Sequence, residues 1–301
     1  MEISVVIPTK NRKNDLFKAI MSISHQSILP KELIIIDQSN VALFENDLCL
    51  INKILHDKVH TIYHHDTSIS GLIEAKDFSL KLTTCNLVSF LEDDVIIENN
   101  YFKEVLNGFT QKPEMKGCSG LVVNTKENNN FYVFMHRISH LGIFKDIRPS
   151  VFKKYQKIFS KNLIRSRTIS GGISTWRKDV FNHVKFDKKN GFHLLEDIDF
   201  STRVFKFYSK DLYINPAVRL IHNSSPLGRD FDFIKNKRKA NELITYYKKN
   251  KNHNFALINI IWLLICLIAQ SLINDIQLGE FNGTKGLVAG ITDGYRKIIN
   301  I

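Results

Sequence analysis

The sequence predicts an α/β fold in which a mostly parallel, Rossmann-like nucleotide-binding sheet is flanked by helices. Residues 1–109 alternate strand and helix patterns with short connections, and acidic residues follow two of the apolar strands. A third feature is a C-terminal region of hydrophobic and amphipathic segments, which predicts helices that associate with a membrane. We therefore expect one domain over residues 1–235 and a basic, hydrophobic helical region over residues 236–301.

The composition is that of an ordinary folded protein, with 44% apolar and 24% charged residues in a chain of 301. The cysteines Cys49, Cys85, Cys118 and Cys266 are widely spaced and form no CxxC pair. This spacing disfavours a zinc knuckle or a disulfide framework and is typical of a reducing cytoplasm. The first eight residues lack the basic start and the long apolar run of a signal peptide.

The formal net charge of +12 leaves nucleic acid, an anionic membrane and an anionic substrate as candidate partners. Basic residues are dense at 235–239 and at 248–251, just before the most hydrophobic stretch of the chain. This placement favours a membrane surface. A nucleic-acid binder is the weaker alternative, since the acids at 92–94 would repel phosphate in the absence of a metal and no basic–aromatic motif is present.

The first strand is predicted over residues 3–7 and is closed by Pro8. A polar loop follows, and Asn14 or Asp15 can cap a helix with apolar residues at helical spacing. The second buried strand, residues 33–36, ends on Asp37. Strand, helix and strand with an acid at the end of the second strand form the front half of a nucleotide-binding unit.

The alternation continues with a strand at 59–64, a helix at 70–82 and a fourth strand that begins at Asn86. Asn99 can cap the next helix, which extends through residue 109. The chain contains neither GxGxxG after the first strand nor GxxxxGK[ST]. These absences weigh against a dinucleotide oxidoreductase and a Walker-type nucleotidase.

The fourth strand ends in three consecutive acids, Glu92, Asp93 and Asp94. Like charges this close repel each other unless they are protonated, solvated or bridged by a cation. Oxygen ligands suit Mg²⁺ or Mn²⁺, and ligands of open α/β sheets bind beyond the carboxyl ends of the strands. We therefore expect a divalent metal that serves a phosphorylated ligand. The alternative is an acidic strand-to-helix turn with no ligand.

Residues 110–170 are less regular. Strands are predicted at 121–123 and 131–134, around a loop at 124–130, and the basic stretch 147–167 is expected to line or cover a site. Gly171 and Gly172 permit a close backbone approach. A helix opens with acids near residue 196, and a last strand near 218–221 precedes His222.

Residues 255–273 are almost wholly apolar, interrupted by Asn259, Gln270 and Ser271. A spanning helix needs about 20 residues, so this segment can either cross a membrane or lie in its interface. Residues 285–298 form a final amphipathic segment.

Taken together, five stretches resemble the family-two glycosyltransferases, a large inverting class with the GT-A fold. They are Ser4-Val-Val-Ile-Pro-Thr-Lys-Asn-Arg12, Ile34-Ile-Ile-Asp-Gln-Ser39, Leu91-Glu-Asp-Asp-Val95, Gly171-Gly172 with Arg177 and Phe181, and Glu196-Asp-Ile-Asp-Phe-Ser-Thr-Arg203. The resemblance covers about residues 1–230, and the hydrophobic tail is similar to those of bacterial enzymes that build O-antigen or capsule on lipid carriers.

The resemblance implies a nucleotide pocket and a metal site. Pro8, Thr9 and Arg12 would frame the pocket, and Asp37 would accept a hydrogen bond from the imide N–H of uracil or thymine. Among the acids, Asp94 would bind the metal directly, while Asp93 and Glu92 would contact the ribose or a metal-bound water. Glu92 stands where the family usually has Asp, and its longer side chain could reach the ion. His222 is a candidate further ligand or a structural histidine.

The resemblance also implies the catalytic residues. Asp197 is the candidate general base, because inversion needs a carboxylate that removes the proton of the acceptor hydroxyl. Glu196 is the alternative base or orients the acceptor, and Asp199 is expected to be structural. Arg203 would bind the diphosphate or form an ion pair with a nearby acid.

The expected activity is an inverting, metal-dependent glycosyltransferase that moves a sugar from a UDP- or dTDP-sugar to a lipid-linked glycan. It would act at the anionic cytoplasmic face of the inner membrane, as a peripheral or single-span protein. Two rivals stay open: a catalytically inactive membrane adaptor with this fold, and a nucleotidyltransferase that makes sugar nucleotides. The latter is expected to carry a glycine-rich loop after the first strand, whereas residues 9–13 contain no glycine.

Overall fold

The computed structural model describes residues 1–125, 130–209, 211–223 and 232–299. For residues 297–299 it describes the backbone alone. The strands form one mixed sheet in the order β3-β2-β1-β4-β8-β6-β9-β5, with β7 paired to β9. They are β1 Ile3–Thr9, β2 Glu32–Asp37, β3 His60–His65, β4 Leu87–Leu91, β5 Val95–Ile97, β6 Gly117–Val122, β7 Ile164–Arg165, β8 Ile173–Arg177 and β9 Leu212–His222.

Helices cover both faces of the sheet. They are α1 Lys13–Ser24, α2 Glu45–Ile54, α3 Leu72–Ser79, α4 Tyr101–Gln111, α5 Asn130–Ser139, α6 Arg148–Tyr155, α7 Val180–His183, α8 Glu196–Phe207, α9 Asp232–Lys249, α10 Ala256–Leu278 and α11 Asn282–Ile299. Helices α1 and α4 pack into one hydrophobic core, and α3, α8, α9 and α10 pack into a second core on the other face. The predicted α/β architecture is confirmed.

Strands β3, β2, β1 and β4 are parallel, as the alternation over residues 1–109 predicted. β1 has β2 on one side and β4 on the other, so the strand order reverses there and the carboxyl ends of all three strands open into one crevice. Pro8 does not close β1, which continues to Thr9. The β4 pairing already stops at Val6, so the missing N–H of Pro8 leaves no gap in that ladder.

The antiparallel pairs of the sheet come from its later strands. β8 lies antiparallel between β4 and β6, and β9 is antiparallel to β5 and β7 but parallel to β6. Residues 218–221 belong to the longer strand β9, which ends on His222. The β9–β5 pairing sets His222 opposite Val95, directly after the acidic cluster.

Several local predictions are wrong. Asn14 and Asp15 lie inside α1, whose cap position is Arg12, and α4 is capped at Asn100 rather than Asn99. Residues 131–134 belong to helix α5 rather than to a strand. Their aromatic run is β-prone locally, but α5 packs on helices α6 and α10. Part of the loop at 124–130 lies outside the described residues.

Helices α9 and α11 pack closely because glycines line their contact. A Cβ at Gly286 or Gly290 would lie 2.4 Å or 2.2 Å from a backbone oxygen of α9. These helices and α10 contribute residues such as Leu243 and Leu263 to the core that they share with α3 and α8. The boundary at residue 235 stays a prediction, and the structure shows that the C-terminal helices are joined to the sheet domain by a common core.

Helix α10 has two apolar faces with different environments. Ile260, Leu263 and Leu267 are buried against the rest of the protein, whereas Ile258 and Ile276 are 62% and 68% exposed. Among the described residues, α10 is the one helix whose length and mean hydropathy of 2.4 would suit a membrane span.

Candidate active site

The crevice at the ends of β1 and β4 brings together the first residues predicted for the site. The Thr9 hydroxyl donates to Asp93 Oδ2 over 2.7 Å, and Arg12 Nη1 donates to Asp93 Oδ1 over 3.1 Å. The same guanidinium lies 3.6 Å from Asp94 Oδ2. Burial raises the pKa of Asp93, against the opposing hydrogen bonds from Thr9 and Arg12. These contacts hold the middle acid of the cluster toward the β1 loop.

The outer two acids point to His222 instead. His222 Nε2 lies 3.0 Å from Asp94 Oδ1 and 3.1 Å from Glu92 Oε2. Hydrogen bonds to Asp94 and then to Glu92 raise the pKa of His222 to about 10, although burial opposes the rise. Ligand atoms of Glu92, Asp94 and His222 all lie within 4.8 Å of one another. Two carboxylates and an imidazole at this spacing fit Mn²⁺ or Mg²⁺, with Mn²⁺ better suited to the nitrogen ligand.

Gly172 is what allows Glu92 to reach this position. The backbone N–H of Glu92 donates to the Gly172 carbonyl over 2.9 Å. A Cβ at Gly172 would lie 2.0 Å from Glu92 Oε1. Any larger residue at this position would therefore displace the Glu92 carboxylate from the cluster.

The region predicted to bind the nucleobase lies around Asp37. This carboxylate is buried and accepts hydrogen bonds from the Ser39 N–H over 2.8 Å and from the Tyr63 hydroxyl over 2.7 Å. Burial, and then the bond to Asp37, raise the pKa of Tyr63 to about 12. Gln38 N–H donates to the Thr9 carbonyl, so the loops after β1 and β2 are joined. A carboxylate has about four acceptor sites, which leaves capacity for an imide N–H.

Glu196 and Asp197 begin helix α8 on the other side of the glycine pair. The Lys76 ammonium donates to Glu196 Oε1 over 2.7 Å, and both side chains are buried. Burial raises the pKa of Glu196, while Lys76 opposes the rise. A Cβ at Gly171 would lie 2.2 Å from Glu196 Oε1 and 3.0 Å from the Asp197 Cβ. Gly171 therefore gives this acid pair the space that Gly172 gives Glu92.

Asp197 has its own cationic partner, Arg148 of helix α6. The guanidinium donates to Asp197 and, through Nη2 at 2.8 Å, pairs with Asp146. Asp146 also accepts from the Thr168 hydroxyl over 3.1 Å. Burial opposes ionisation of Asp146, but Arg148 outweighs it and lowers the Asp146 pKa. Asp146 thus holds the arginine that holds Asp197.

Glu242 of helix α9 fixes the start of α8. Its carboxylate accepts hydrogen bonds from the backbone N–H groups of His193, Leu194 and Leu195, at 3.0, 2.8 and 3.0 Å. These donors immediately precede Glu196, so the C-terminal region positions the first turn that carries both acids. Negative charge at a helix N-terminus is also favourable.

Arg203 of helix α8 has its contacts with Asp199 and with the chain at Lys185. Its guanidinium pairs with Asp199 at 2.8 Å and donates to the Lys185 carbonyl at 2.6 Å. Asp199 also binds Lys249 of α9 at 2.6 Å. The ion pair that the sequence left open for Arg203 is the contact observed, and Asp199 has the structural contacts expected of it.

Sequence reasoning missed Lys76, Asp146, Arg148 and Glu242. Arg148 lies in the basic stretch 147–167 that was expected to line a site, but nothing distinguished it from its basic neighbours. The other three are single charged residues in segments of ordinary pattern. Their partners are distant in the sequence: Glu196 is 120 residues from Lys76.

This fold is that of a GT-A glycosyltransferase. Residues 4–213 match the family described as glycosyl transferase family 2. The chain belongs to this family, as the motifs predicted. No curated protein sequence matches the chain.

Solved structures share the fold at low sequence identity. Residues 1–349 of S. aureus TarS align with a TM-score of 0.58 and 14% identity, over 92% of this chain and 75% of that chain. The same TarS fragment in complex with UDP-GlcNAc aligns over 98% of this chain and 80% of that chain, with the same TM-score and identity. The mannosyltransferase PcManGT from Pyrobaculum calidifontis, in complex with GDP-Man and Mn²⁺, gives a TM-score of 0.60 and 13% identity over 98% and 87%.

Proposed function

We propose that this glycosyltransferase moves a sugar, with inversion, from a UDP- or dTDP-sugar to a hydroxyl of a lipid-linked glycan in bacterial surface polysaccharide synthesis, of O-antigen or capsule. The observation that carries the proposal is the glycine pair. A Cβ at Gly172 would meet Glu92, and a Cβ at Gly171 would meet Glu196. Adjacent Cα atoms are about 3.8 Å apart, so a metal-type acid cluster and a base-type acid pair border one short backbone segment.

The donor pocket is the part that the known structures support most directly. The aligned structures were solved with UDP-GlcNAc and with GDP-Man and Mn²⁺. In this chain Asp37 would accept the imide N–H of uracil or thymine, and Pro8, Thr9 and Arg12 would frame the nucleotide. Arg12 also lies beside Asp93 and Asp94, where the diphosphate would approach the cluster.

Glu92, Asp94 and His222 would hold the Mg²⁺ or Mn²⁺, and Asp93 would contact the ribose or a metal-bound water. When bound, the ion neutralises charge on the departing nucleoside diphosphate. Glu92 would serve as a metal ligand although the family usually has Asp at this position, because Gly172 leaves room for the longer Glu92 side chain beside Asp94. His222 must be neutral to bind a metal, so binding would release its proton.

Asp197 would accept the proton of the acceptor hydroxyl as the oxygen attacks the anomeric carbon opposite the diphosphate. Arg148 orients this carboxylate. Glu196 forms a buried ion pair with Lys76. This contact suits a residue that orients the acceptor better than a general base that must accept a proton.

The acceptor would come from the membrane to which α10 binds, at the anionic cytoplasmic face. The buried face of α10 is occupied by protein contacts, whereas its outer face exposes residues such as Ile261 and Ile265. A helix with this division suits the membrane interface better than a span. Residues 232–299 also carry an excess of Lys and Arg, which suits an anionic surface.

Calorimetric titration of the purified protein with UDP, dTDP, GDP and CMP, with and without Mn²⁺, tests the donor assignment. We expect metal-dependent binding of UDP or dTDP, and loss of that binding in Asp37→Ala. Equal binding, or no binding, of all four nucleotides would contradict the catalytic proposal and favour the inactive adaptor. Release of UDP or dTDP from the matching sugar nucleotide, with no requirement for a nucleoside triphosphate, would exclude the nucleotidyltransferase.

A further inference from the structure

Three polar residues in the C-terminal half of helix α10 line a cavity that the proposed reaction does not use. Gln270, Ser271 and Asn274 of α10 face Asn236 and Lys239 of α9 across a space of about 250 Å³. The start of α11 closes one end, where the Asp275 carboxylate accepts from the Thr284 N–H over 2.7 Å. Water occupies about 30 Å³ per molecule, so the cavity has room for a group several times that size.

Lys239 is the unusual member of this lining. The residue is partly buried, and it forms no hydrogen bond or ion pair with any residue that the structure describes. Burial, and then the charge of Lys235, lower its pKa. Lys76 and Lys249, by contrast, each bind a carboxylate. The acids Asp232 and Asp275 also line the cavity, but neither of them pairs with Lys239. A partly buried ammonium without a partner has lost hydration that a bound anion would replace.

We propose that this cavity binds the phosphate group of an anionic membrane lipid, with Lys239 as the cation that neutralises it. An ammonium binds phosphate as a point charge, and the amides of Asn236, Gln270 and Asn274 can donate to the remaining phosphate oxygens. The inference deepens the proposed function, since it rests on α10 lying at the membrane surface.

A lipid suits the site better than a soluble phosphate because the cavity adjoins the apolar outer face of α10. Leu278, which lines the cavity, is 71% exposed, and Ile273 and Ile276 on the same helix are 59% and 68% exposed. A headgroup in the cavity would therefore leave its acyl chains beside apolar side chains. The phosphate of one lipid would fit the polar cavity, and its acyl chains would contact the exposed apolar side chains of α10.

Thermal unfolding of the full chain in dodecyl maltoside micelles, without nucleotide or metal, tests the inference. Dihexanoyl phosphatidylglycerol is compared with dihexanoylglycerol, which has the same chains and no phosphate. At ten times its Kd we expect the phospholipid to raise the Tm by about 2 to 4 °C. Lys235→Gln, which removes the same charge from the exposed surface of α9, should keep this shift. Lys239→Gln should lose it.

An equal shift in Lys239→Gln, or an equal shift with dihexanoylglycerol, would overturn the proposal. An equal shift with inorganic phosphate would show a site for soluble phosphate and overturn the lipid assignment. If Lys239→Gln fails to fold, Asn274→Leu obstructs the cavity from an exposed position and should abolish the shift. UDP–Mn²⁺ binding, measured separately, distinguishes failure of this inference from failure of the proposed activity.

Discussion

The two acidic groups on either side of the glycine pair contain the same residue types but contact different partners. Glu92 and Asp94 direct their carboxylates, together with His222, toward one point. Glu196 and Asp197 are neighbours in sequence, yet each is tied to a separate cation, Lys76 or Arg148. In the first arrangement the protonated His222 bridges two carboxylates, and an external ion would take the place of its proton, whereas the second arrangement holds two carboxylates in fixed and separate positions.

We infer that the partners of a carboxylate, rather than its strand-end or helix-start position, indicate its task. Converging acids repel each other unless a cation lies between them, which suits a metal site. An acid held by a fixed cation is already oriented before substrate arrives, which suits a group that must meet a hydroxyl at a defined distance. If the two groups have different tasks, substitutions can perturb them separately.

The largest effect is expected from Asp197→Asn. The amide keeps the shape of the side chain but cannot take a proton, so we expect turnover to fall about 1,000-fold. Affinity for UDP–Mn²⁺ should stay within about twofold, because the residues predicted to bind the nucleotide lie on the other side of the glycine pair. Turnover and calorimetric affinity are measured on the same preparation. Unchanged turnover would remove Asp197 as the base.

Lys76→Met tests the buried ion pair through stability. It leaves Glu196 buried without its partner, so we expect a loss of roughly 3 to 5 kcal/mol in the free energy of unfolding, measured with urea. The control is Lys188→Met, which breaks the exposed Lys188–Asp77 pair of the same 2.7 Å length and should cost under about 1 kcal/mol. The double variant Lys76→Met/Glu196→Gln should recover much of the loss. Equal losses for the two single variants would contradict the buried pairing.

Substitutions in the glycine pair should separate the two groups. In Gly172→Ala the new Cβ displaces Glu92, and we expect Mn²⁺ affinity to fall by roughly tenfold, the lower range seen when support of a metal ligand is lost. In Gly171→Ala the new Cβ displaces Glu196 and presses on Asp197, so turnover should fall while Mn²⁺ affinity is retained. The same effect from both variants would show that the two groups act as a single site.

The smallest effect concerns Lys249, which anchors helix α8 by binding Asp199 and Asp187. Partial burial disfavours the ionised Asp187, but hydrogen bonds from Lys249 and Asn190 outweigh it and lower the Asp187 pKa to about 2. The stabilisation is complete above the ordinary pKa of 3.8 and is lost as the pH falls toward 2. Between pH 4.5 and 2.5, Asp187→Asn should therefore lose on the order of 1 kcal/mol less stability than the wild type in urea unfolding. If the free energy of unfolding had the same pH dependence in both proteins, the Asp187–Lys249 pair would not contribute to stability as proposed.

Much of the sheet and the acidic cluster could be predicted because both are local patterns. Buried strands read as continuous apolar runs, and Asp37 and the acids at 92–94 directly follow such runs. The features that could not be predicted depend on tertiary contacts. Residues 131–134 have a β-prone aromatic composition, but no neighbouring strand pairs with them in the part of the chain that the structure describes.

The supporting charges of the site were also beyond the reach of local patterns. Arg148 and Asp197 are 49 residues apart, and Glu242 is 47 to 49 residues from the backbone groups that it caps. A single charged residue on a helix has the same appearance in sequence whether it is solvated or buried against a distant acid. The resemblance to the family supplied Asp197, but not the residues that hold it.

The central claim is that Glu92, Asp94 and His222 bind the cation while the α8 acids do not. Calorimetric titration of Mn²⁺ at saturating UDP, on the wild type, Asp94→Asn and Asp197→Asn, tests it most directly. We predict that the wild type and Asp197→Asn bind one Mn²⁺ with similar affinity and that Asp94→Asn loses at least about tenfold. Retained Mn²⁺ binding in Asp94→Asn together with loss in Asp197→Asn would place the metal at α8 and contradict the account.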